Sequence, residues 1–451
     1  MSRADALDLS VPGPAPIRRL PRWALPVALA LAVAIALVGF PTLYYYNPTA
    51  CNYFPVFDPA TQQLYASNPD ALAIVEGAQE AETRGVGRWW TGNWIQATSR
   101  FYRPLSSLLM YTEYRLWGTE FQKYCVVSWL VHALNAALLC LLVFRLTRQA
   151  GDWSALGIGL LAVVLFNLRR GVVGPGWLPE CVGPQQLEIP MRIARAELPY
   201  WPAQTDLLSL ACSLGSLLLF DSYARRGRCR HLAGAVLVYI LALLFKEMAL
   251  VVALLGPLVV WYRRRRIPWR LGALTVGLAL LLLLIRELVV PGAQNPSFRS
   301  LWDVAQQVLW YLHWRLQMVA LAGVWWHVWA GAGMVSLLYL ARRFRLSIVF
   351  AVPALLVWPV LMASLVGGNP GLTIVNTQAA NAGLAFLFSG GLFVLARGRE
   401  SLAWMLAVML LVVHLPILHL QGPHYLYWPA AFWGMLDAVL VWQAARQWQK
   451  L

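Results

Sequence analysis

Apolar runs that are long enough to cross a lipid bilayer recur from the first to the last part of the chain, and they constrain its fold more than any other feature. Hydrophobic residues make up 59% of the 451 residues and charged residues only 12%, with a mean hydropathy of +0.58. Because the bilayer core contains no water to hydrogen-bond the backbone, spanning segments fold as helices or as closed barrels. The runs lack the alternation that is typical of barrel strands. The sequence therefore predicts an all-α polytopic membrane protein.

About 12 transmembrane helices fit these runs. A single helix over 231–262 would be about 48 Å long, well beyond a hydrocarbon core of roughly 30 Å. We therefore predict a break at Lys246 and Glu247, which leaves Arg230 and Arg263 on the same side of the membrane. The predicted spans are 23–46, 124–144, 154–168, 205–222, 231–245, 248–262, 271–290, 317–340, 346–366, 378–396, 402–419 and 425–445.

The basic residues orient these spans. The chain has 36 Lys and Arg against 20 Asp and Glu, a net charge of +16, and the basic residues concentrate at the ends of apolar runs. This placement is typical of membrane orientation rather than of a nucleic-acid-binding surface, so no nucleic-acid partner is expected. It predicts cytoplasmic termini, with a tail over 1–22 and a single membrane domain over 23–451. The first run is interpreted as a retained anchor rather than a signal peptide.

The extracytoplasmic side is predicted to carry the largest loop and the chemistry. The outside segments are about 47–123, 168–204, 246–247 and 291–316. The first of them is rich in acids and aromatic residues, and its stretch Pro104–Trp117 is predicted to lie as an interfacial helix. Arg192 and Arg195 lie in the second, on the side where basic residues are disfavoured, which indicates an anionic ligand.

Four colinear motifs carry a resemblance to a known family. They are Phe101-Tyr-Arg-Pro-Leu-Ser-Ser-Leu108 with Tyr114-Arg-Leu-Trp-Gly118 and Ser128-Trp-Leu-Val-His-Ala-Leu-Asn-Ala136; Tyr200-Trp-Pro-Ala-Gln-Thr-Asp-Leu-Leu-Ser209; Leu244-Phe-Lys-Glu-Met-Ala249; and His424-Tyr-Leu-Tyr-Trp-Pro429. The chain resembles the C-type glycosyltransferase (GT-C) superfamily, and most closely its branch of protein O-mannosyltransferases with transmembrane and tetratricopeptide regions. The first motif is the most specific. The chain itself has none of that branch's tetratricopeptide repeats.

The resemblance implies an activity. Such enzymes move a sugar from a polyprenyl-phosphate donor to a protein, glycan or lipid acceptor at the extracytoplasmic face. An acid near the start of the first loop deprotonates or orients the acceptor, and its counterpart here is Asp58. The resemblance also implies a multi-pass protein of the bacterial cytoplasmic (inner) membrane, with a lipid-linked sugar donor, an acceptor and membrane lipids as partners. The sugar and the acceptor are not indicated.

Each candidate residue also has an ordinary structural interpretation. Asp58 is the candidate base, or else a turn-forming Asp-Pro acid. Lys246 is interpreted as a donor-phosphate contact oriented by Glu247, because ionisable residues at such depth are usually functional or mutually paired. Arg103 could bind the phosphate or anchor the loop at the interface. Asp206 fits either the site or a stabilising acid at a helix N-terminus.

The remaining candidates rest more heavily on the resemblance. It assigns His424 and Tyr425 to the donor phosphate and makes Tyr427 a further site candidate, although an aromatic belt is expected at this depth in any case. His132 and Asn135, one helical turn apart, are interpreted as structural.

No cofactor is required by the sequence. The spacing of cysteine and histidine does not indicate a zinc site. A divalent cation held by Asp58 and the donor phosphate stays open. A disulfide between Cys51 and Cys181 stays open as well, since both are predicted to lie outside the membrane.

Three positions depart from the family pattern and keep other functions open. Pro59 follows Asp58 where relatives have a second acid, and Gln204 and His424 stand where arginine is expected. A non-catalytic relative that binds a lipid-linked glycan is therefore one alternative. A twelve-span transporter is another, although the two halves of the chain lack the internal repeat that is usual for such proteins.

Overall fold

The computed structural model describes residues 20–37, 56–58, 63–65, 69–96, 100–118, 120, 122–168, 204–291, 401–417 and 427–448. These residues are helical apart from one small β-hairpin and short turns, which confirms the all-α fold class. The helices are α1 (Ala24–Leu37), α2 (Pro69–Arg84), α3 (Pro104–Trp117), α4 (Gln122–Thr147), α5 (Asp152–Leu168), α6 (Gln204–Arg226), α7 (Cys229–Phe245), α8 (Val252–Arg264), α9 (Trp269–Val289), α10 (Ser401–His414) and α11 (Tyr427–Trp448). Single-turn 3-10 segments cover Val86–Trp90, Arg148–Ala150, Glu247–Val251 and Leu415–Ile417.

The helices are compatible with a membrane protein. Three of them contain segments that are long and apolar enough to cross a bilayer, namely Val126–Thr147, Gln204–Arg226 and Trp269–Val289. Helices α1, α5, α7 and α10 contain shorter apolar segments. The predicted spans 317–340, 346–366 and 378–396 lie outside the described residues. The total of about 12 spans therefore stays a prediction.

The predicted break at Lys246 is confirmed. Helix α7 ends at Phe245, Lys246 is extended with φ −159°, and a 3-10 turn from Glu247 leads into α8. The two helices form a hairpin that packs on α6. The Lys246 end of α7 lies beside Asp206 at the start of α6, whereas Arg263 near the end of α8 lies beside Asp221 near the end of α6.

This hairpin defines two ends of the helical bundle. We call the end at the start of α6, with Asp206 and Lys246, the site end, and the opposite end, with Arg225 and Arg263, the arginine end. Helix α6 runs antiparallel to α7, since the Ser209 hydroxyl donates to the Ala242 carbonyl at 3.1 Å and that of Ser216 to the Ala235 carbonyl at 2.8 Å.

Glycines allow α5 to pack closely against its neighbours. A Cβ on Gly159 would lie 2.9 Å from the Cys140 carbonyl oxygen of α4, and one on Gly434 of α11 would lie 2.8 Å from the Ala162 carbonyl oxygen of α5. Small residues at such contacts let helix backbones approach each other, which is a common way of packing helices in membranes. These contacts join α4, α5 and α11 beneath the site end.

We expect Gly159→Ala to destabilise the folded protein by about 1–3 kcal/mol. The added methyl group would clash with the Cys140 carbonyl oxygen, and helices α4 and α5 would have to move apart to relieve the clash. Gly157 of the same helix is exposed, and a Cβ there meets no described atom within 4 Å. Gly157→Ala is the matched control and should be neutral or stabilising by about 0.5–1 kcal/mol. Denaturant unfolding in detergent measures both variants, and equal effects would contradict the close packing.

The first loop has a small core of its own. Buried residues of α2, the Val86–Trp90 turn, the segment after that turn and α3 pack together and reach the first turn of α4. They are Ile74, Val75, Ala78, Ala81, Trp89, Trp94, Ile95, Met110 and Tyr124. The Ser106 hydroxyl of α3 donates to the Phe245 carbonyl at the end of α7, at 2.7 Å. The loop is therefore docked at the site end.

Candidate functional site

Arg103 is presented to the site end by a folded turn of the first loop. The Asn93 side-chain oxygen accepts a hydrogen bond from the Phe101 amide at 2.8 Å, and the Trp94 amide donates to the Phe101 carbonyl at 3.0 Å. Pro104 then begins α3, so Arg103 takes the position just before the helix, where the chain is not yet helical. The guanidinium carbon of Arg103 lies 4.0 Å from the centre of the Phe101 ring and 4.8 Å from that of Trp94. Stacking on aromatic faces suits a guanidinium and fixes its plane.

Glu247 is the carboxylate partner of Arg103. The Arg103 Nε atom donates to Glu247 Oε2 at 2.8 Å, and Nη2 donates to Oε1 of the same carboxylate. Such a two-point contact uses the planar fork of arginine. Burial opposes the ionisation of Glu247, but the adjacent Arg103 guanidinium outweighs it and lowers the pKa of this carboxyl to about 2. Glu247 is therefore ionised at neutral pH.

Lys246 and Asp206 form a second, more deeply buried ion pair. The Lys246 Nζ atom donates to Asp206 Oδ2, and the two residues are only 6% and 2% exposed. Asp206 lies in the first turn of α6. Its backbone carbonyl accepts a hydrogen bond from the indole N–H of Trp428 at 3.2 Å, which ties that turn to α11.

Together these four residues form what we call the charged quartet: Arg103, Asp206, Lys246 and Glu247. The sequence predicted that Glu247 orients Lys246, whereas the structure pairs Glu247 with Arg103 and pairs Lys246 with Asp206. The reason is geometric, since successive residues in the extended backbone and turn at 246–247 point their side chains in different directions. The quartet has two positive and two negative charges, so both cations already have carboxylate partners.

A buried hydrogen-bond network lies next to the quartet. His132 Nδ1 lies 2.8 Å from the Tyr427 hydroxyl, and His132 Nε2 lies 3.0 Å from the Asn167 side-chain oxygen. Asn135 donates from Nδ2 to the Tyr427 hydroxyl at 3.1 Å and to the Leu207 carbonyl at 2.9 Å. All four side chains that form the network are buried. The network joins α4, α5, α6 and α11 around the first turn of α6.

The contacts of the two asparagine side chains indicate which atoms of this network donate hydrogen bonds and which accept them. Asn167 Nδ2 donates to the Val163 carbonyl at 2.9 Å, so its oxygen faces His132 and accepts from Nε2–H. His132 Nδ1 then accepts from the hydroxyl of Tyr427, which itself accepts from Asn135. A neutral imidazole with its proton on Nε2 is compatible with these contacts. The structural interpretation of His132 and Asn135 agrees with these contacts.

One member of this region was overlooked in the sequence. Asn167 was not a candidate, although a polar residue inside the apolar run 154–168 was a usable signal. Gln204, two residues before Asp206, donates from its side chain to the Tyr124 carbonyl at 3.0 Å. It therefore ties the start of α6 to the start of α4.

Of the other predicted site residues, the structure describes only the strand position of Asp58. Asp58 is the last residue of strand β1 (Val56–Asp58), opposite Gln63 of strand β2 (Gln63–Tyr65). Arg192, Arg195, His424 and Tyr425 lie outside the described residues, as do Cys51 and Cys181.

In the part of the chain that the structure describes, no group of three or more His, Cys, Asp or Glu is placed to hold a metal ion. In comparisons with known proteins, neither a family model nor a curated protein matches the chain.

Proposed function

We propose that this chain is a membrane glycosyltransferase, in particular a hexosyltransferase. It would move a sugar from a polyprenyl-phosphate donor to a protein, glycan or lipid acceptor at the extracytoplasmic face. One observation carries the proposal. Residues from separate motifs of the glycosyltransferase resemblance, far apart in the chain, lie together at the site end: Arg103, Asp206, Lys246 and Glu247, with Tyr427 in the adjoining network.

The proposed reaction exchanges one oxygen for another at the anomeric carbon of the sugar. The bond between this carbon and the donor phosphate oxygen breaks, and the electron pair leaves with the polyprenyl phosphate. The acceptor oxygen forms the new bond and gives its proton to the Asp58 carboxylate, acting as a general base. A divalent cation between Asp58 and the donor phosphate is compatible with this scheme.

The quartet is suited to the negative charge that develops on the departing phosphate. Arg103 and Lys246 are buried cations, and preorganised charges in a site with little water stabilise such a group strongly. Each cation is shared with a carboxylate, so phosphate binding would draw Arg103 and Lys246 partly away from Glu247 and Asp206. In this scheme the carboxylates hold the cations in place until the donor arrives.

One observation favours the non-catalytic alternative. The quartet is neutral overall, and Gln204 bonds to a backbone carbonyl at the position where the family pattern has a further arginine. A relative that binds lipid-linked glycan without turning it over would fit such a weakened positive charge.

A transfer assay distinguishes the two. The full chain in detergent is given radiolabelled sugars on polyprenyl-phosphate and polyprenyl-diphosphate donors, and transfer is measured. Asp58→Asn is expected to lower turnover at least about 100-fold with donor binding retained, the usual contribution of a general base. Glu76→Gln, the same change at an exposed acid of α2, is the control and should leave turnover unchanged.

Other outcomes would contradict the proposal in different ways. Saturable donor binding without turnover by the wild type would support the non-catalytic alternative. Full activity of Asp58→Asn would remove Asp58 as the base while leaving the enzyme class intact.

A further inference from the structure

The arginine end carries an excess of positive charge that the described residues do not neutralise. Between residues 222 and 286 the sequence has a single acidic residue, Glu247, and it lies at the site end. The α6–α7 and α8–α9 turns and the helix ends beside them nevertheless hold nine arginines: Arg225, Arg226, Arg228, Arg230, Arg263, Arg264, Arg265, Arg266 and Arg270. Within the described ranges, Asp221 is the acid that pairs with arginines of this group, and it is fully buried.

The inner arginines of this end are bonded to the protein. Arg225 and Arg263 pair with Asp221, at 3.1 Å and 2.7 Å. Both also donate from Nη2 to the Arg145 carbonyl, at 2.7 Å and 2.6 Å. Arg264 donates to the carbonyls of Tyr223 and Ala224, at 2.9 Å and 3.1 Å. These guanidinium groups cap the carbonyl ends of α4 and α6, a common role of basic residues at helix C-termini.

The remaining six, which we call the outer arginines, have a different environment. Each is exposed, and none forms an ion pair with a residue that the structure describes. They are Arg226, Arg228, Arg230, Arg265, Arg266 and Arg270. The contact of Arg264 with α6 holds their two turns side by side, so they form one continuous surface.

Apolar side chains interrupt this surface at the level of the helix ends. Ile267 is 78% exposed and Trp269 is 68% exposed, and the Arg270 guanidinium carbon lies 5.2 Å from the centre of the Trp269 ring. Arginine beside exposed tryptophan and aliphatic groups is typical of the boundary between lipid tails and headgroups. A soluble polyanion would leave Ile267 and Trp269 in water, whereas a phospholipid covers them and places its phosphate among the arginines.

We propose that the outer arginines form a binding surface for anionic glycerophospholipids, with the lipid phosphates contacting the guanidinium groups and the acyl chains lying along Ile267 and Trp269. The positive charge at this end then serves in the folded protein as well as during membrane insertion. Binding at this surface is independent of glycosyl transfer at the opposite end, so the two proposals can fail separately.

Native mass spectrometry on the full, delipidated chain in detergent tests this. The protein is titrated with phosphatidylglycerol or with phosphatidylcholine of the same acyl chains, and bound lipids are counted. We expect preferential retention of phosphatidylglycerol. The variant Arg226→Gln with Arg266→Gln should weaken that binding roughly thirtyfold, which corresponds to the loss of two arginines near an anionic surface.

The matched control removes two arginines elsewhere. Arg84 and Arg115 are exposed and pair with Glu80 and Glu82 of the first loop, so Arg84→Gln with Arg115→Gln changes the net charge equally but should leave lipid binding unchanged. Equal retention of both lipids, or equal losses in both double variants, would overturn the proposal. Displacement of phosphatidylglycerol by millimolar inorganic phosphate would also overturn it, in favour of a site for a free anion.

Folding of the variants is checked independently. Size-exclusion profiles and thermal unfolding in detergent should match the wild type, because the substituted side chains are exposed. If the first double variant does not fold, Arg228→Gln with Arg230→Gln removes two charges from the same surface and carries the same expected loss.

Discussion

Lys246→Met is expected to lower the free energy of unfolding by about 3–5 kcal/mol, because it leaves the carboxylate of Asp206 buried without its cation. Both residues are almost fully enclosed, so water cannot take the place of the lost ammonium group. Methionine is close to lysine in length and flexibility, and the effect therefore reports the charge rather than a cavity. Unfolding of the purified protein in detergent without any donor lipid measures it.

The partner substitutions make this prediction specific. Asp206→Leu combined with Lys246→Met removes both charges, and the double variant should recover much of the stability that the single variant loses. Lys123→Met is the control, since Lys123 pairs with Glu120 at 2.8 Å on the exposed surface, where such a pair contributes at most about 1 kcal/mol. A loss for Lys246→Met no larger than that for Lys123→Met would contradict the buried ion pair.

Tyr427→Phe is expected to destabilise the protein by about 1–3 kcal/mol. Its hydroxyl joins His132 to Asn135, and removing it leaves a buried imidazole nitrogen without that partner. The cost of such an unsatisfied buried group exceeds the net value of an ordinary hydrogen bond. Denaturant unfolding in detergent measures the loss.

Tyr239→Phe provides the matched control in another helix. Tyr239 of α7 is fully buried, yet its hydroxyl has no hydrogen-bond partner among the residues that the structure describes. Removing that hydroxyl should be neutral or stabilising, because a buried polar group that lacks a partner is unfavourable. Similar losses in both variants would show that the network contributes nothing beyond the packing of the ring.

Several features of the candidate site were predictable from local sequence. The apolar run over 231–262 is too long for one span, and a break near Lys246 and Glu247 was needed to keep its two basic ends on the same side of the membrane. The motif around Arg103 indicated where the first loop returns to the bundle. The small β-hairpin containing Asp58 was not predicted, because three-residue strands have too little periodicity to be recognised.

The partners of the charged residues could not be inferred in the same way. Lys246 and Glu247 are adjacent in sequence, which favoured pairing them with each other, whereas their partners Asp206 and Arg103 are 40 and 144 residues away. Such pairings depend on which helix ends meet, and short-range patterns carry no information on that. The connection of His132 to Asn167 and Tyr427 was hidden for the same reason.

The amino-acid sequence by itself determined that this chain folds as helices compatible with a membrane, where those helices break, and which end of the bundle is rich in arginine. These properties follow from hydropathy, helix length and charge, which are local quantities. Only the tertiary structure decided that the four charges of the site form two separate ion pairs, that a hydrogen-bond network holds the first turn of α6, and that two arginine-rich turns join into one surface. Each of these depends on contacts between helices that are distant in the chain, and packing alone establishes such contacts.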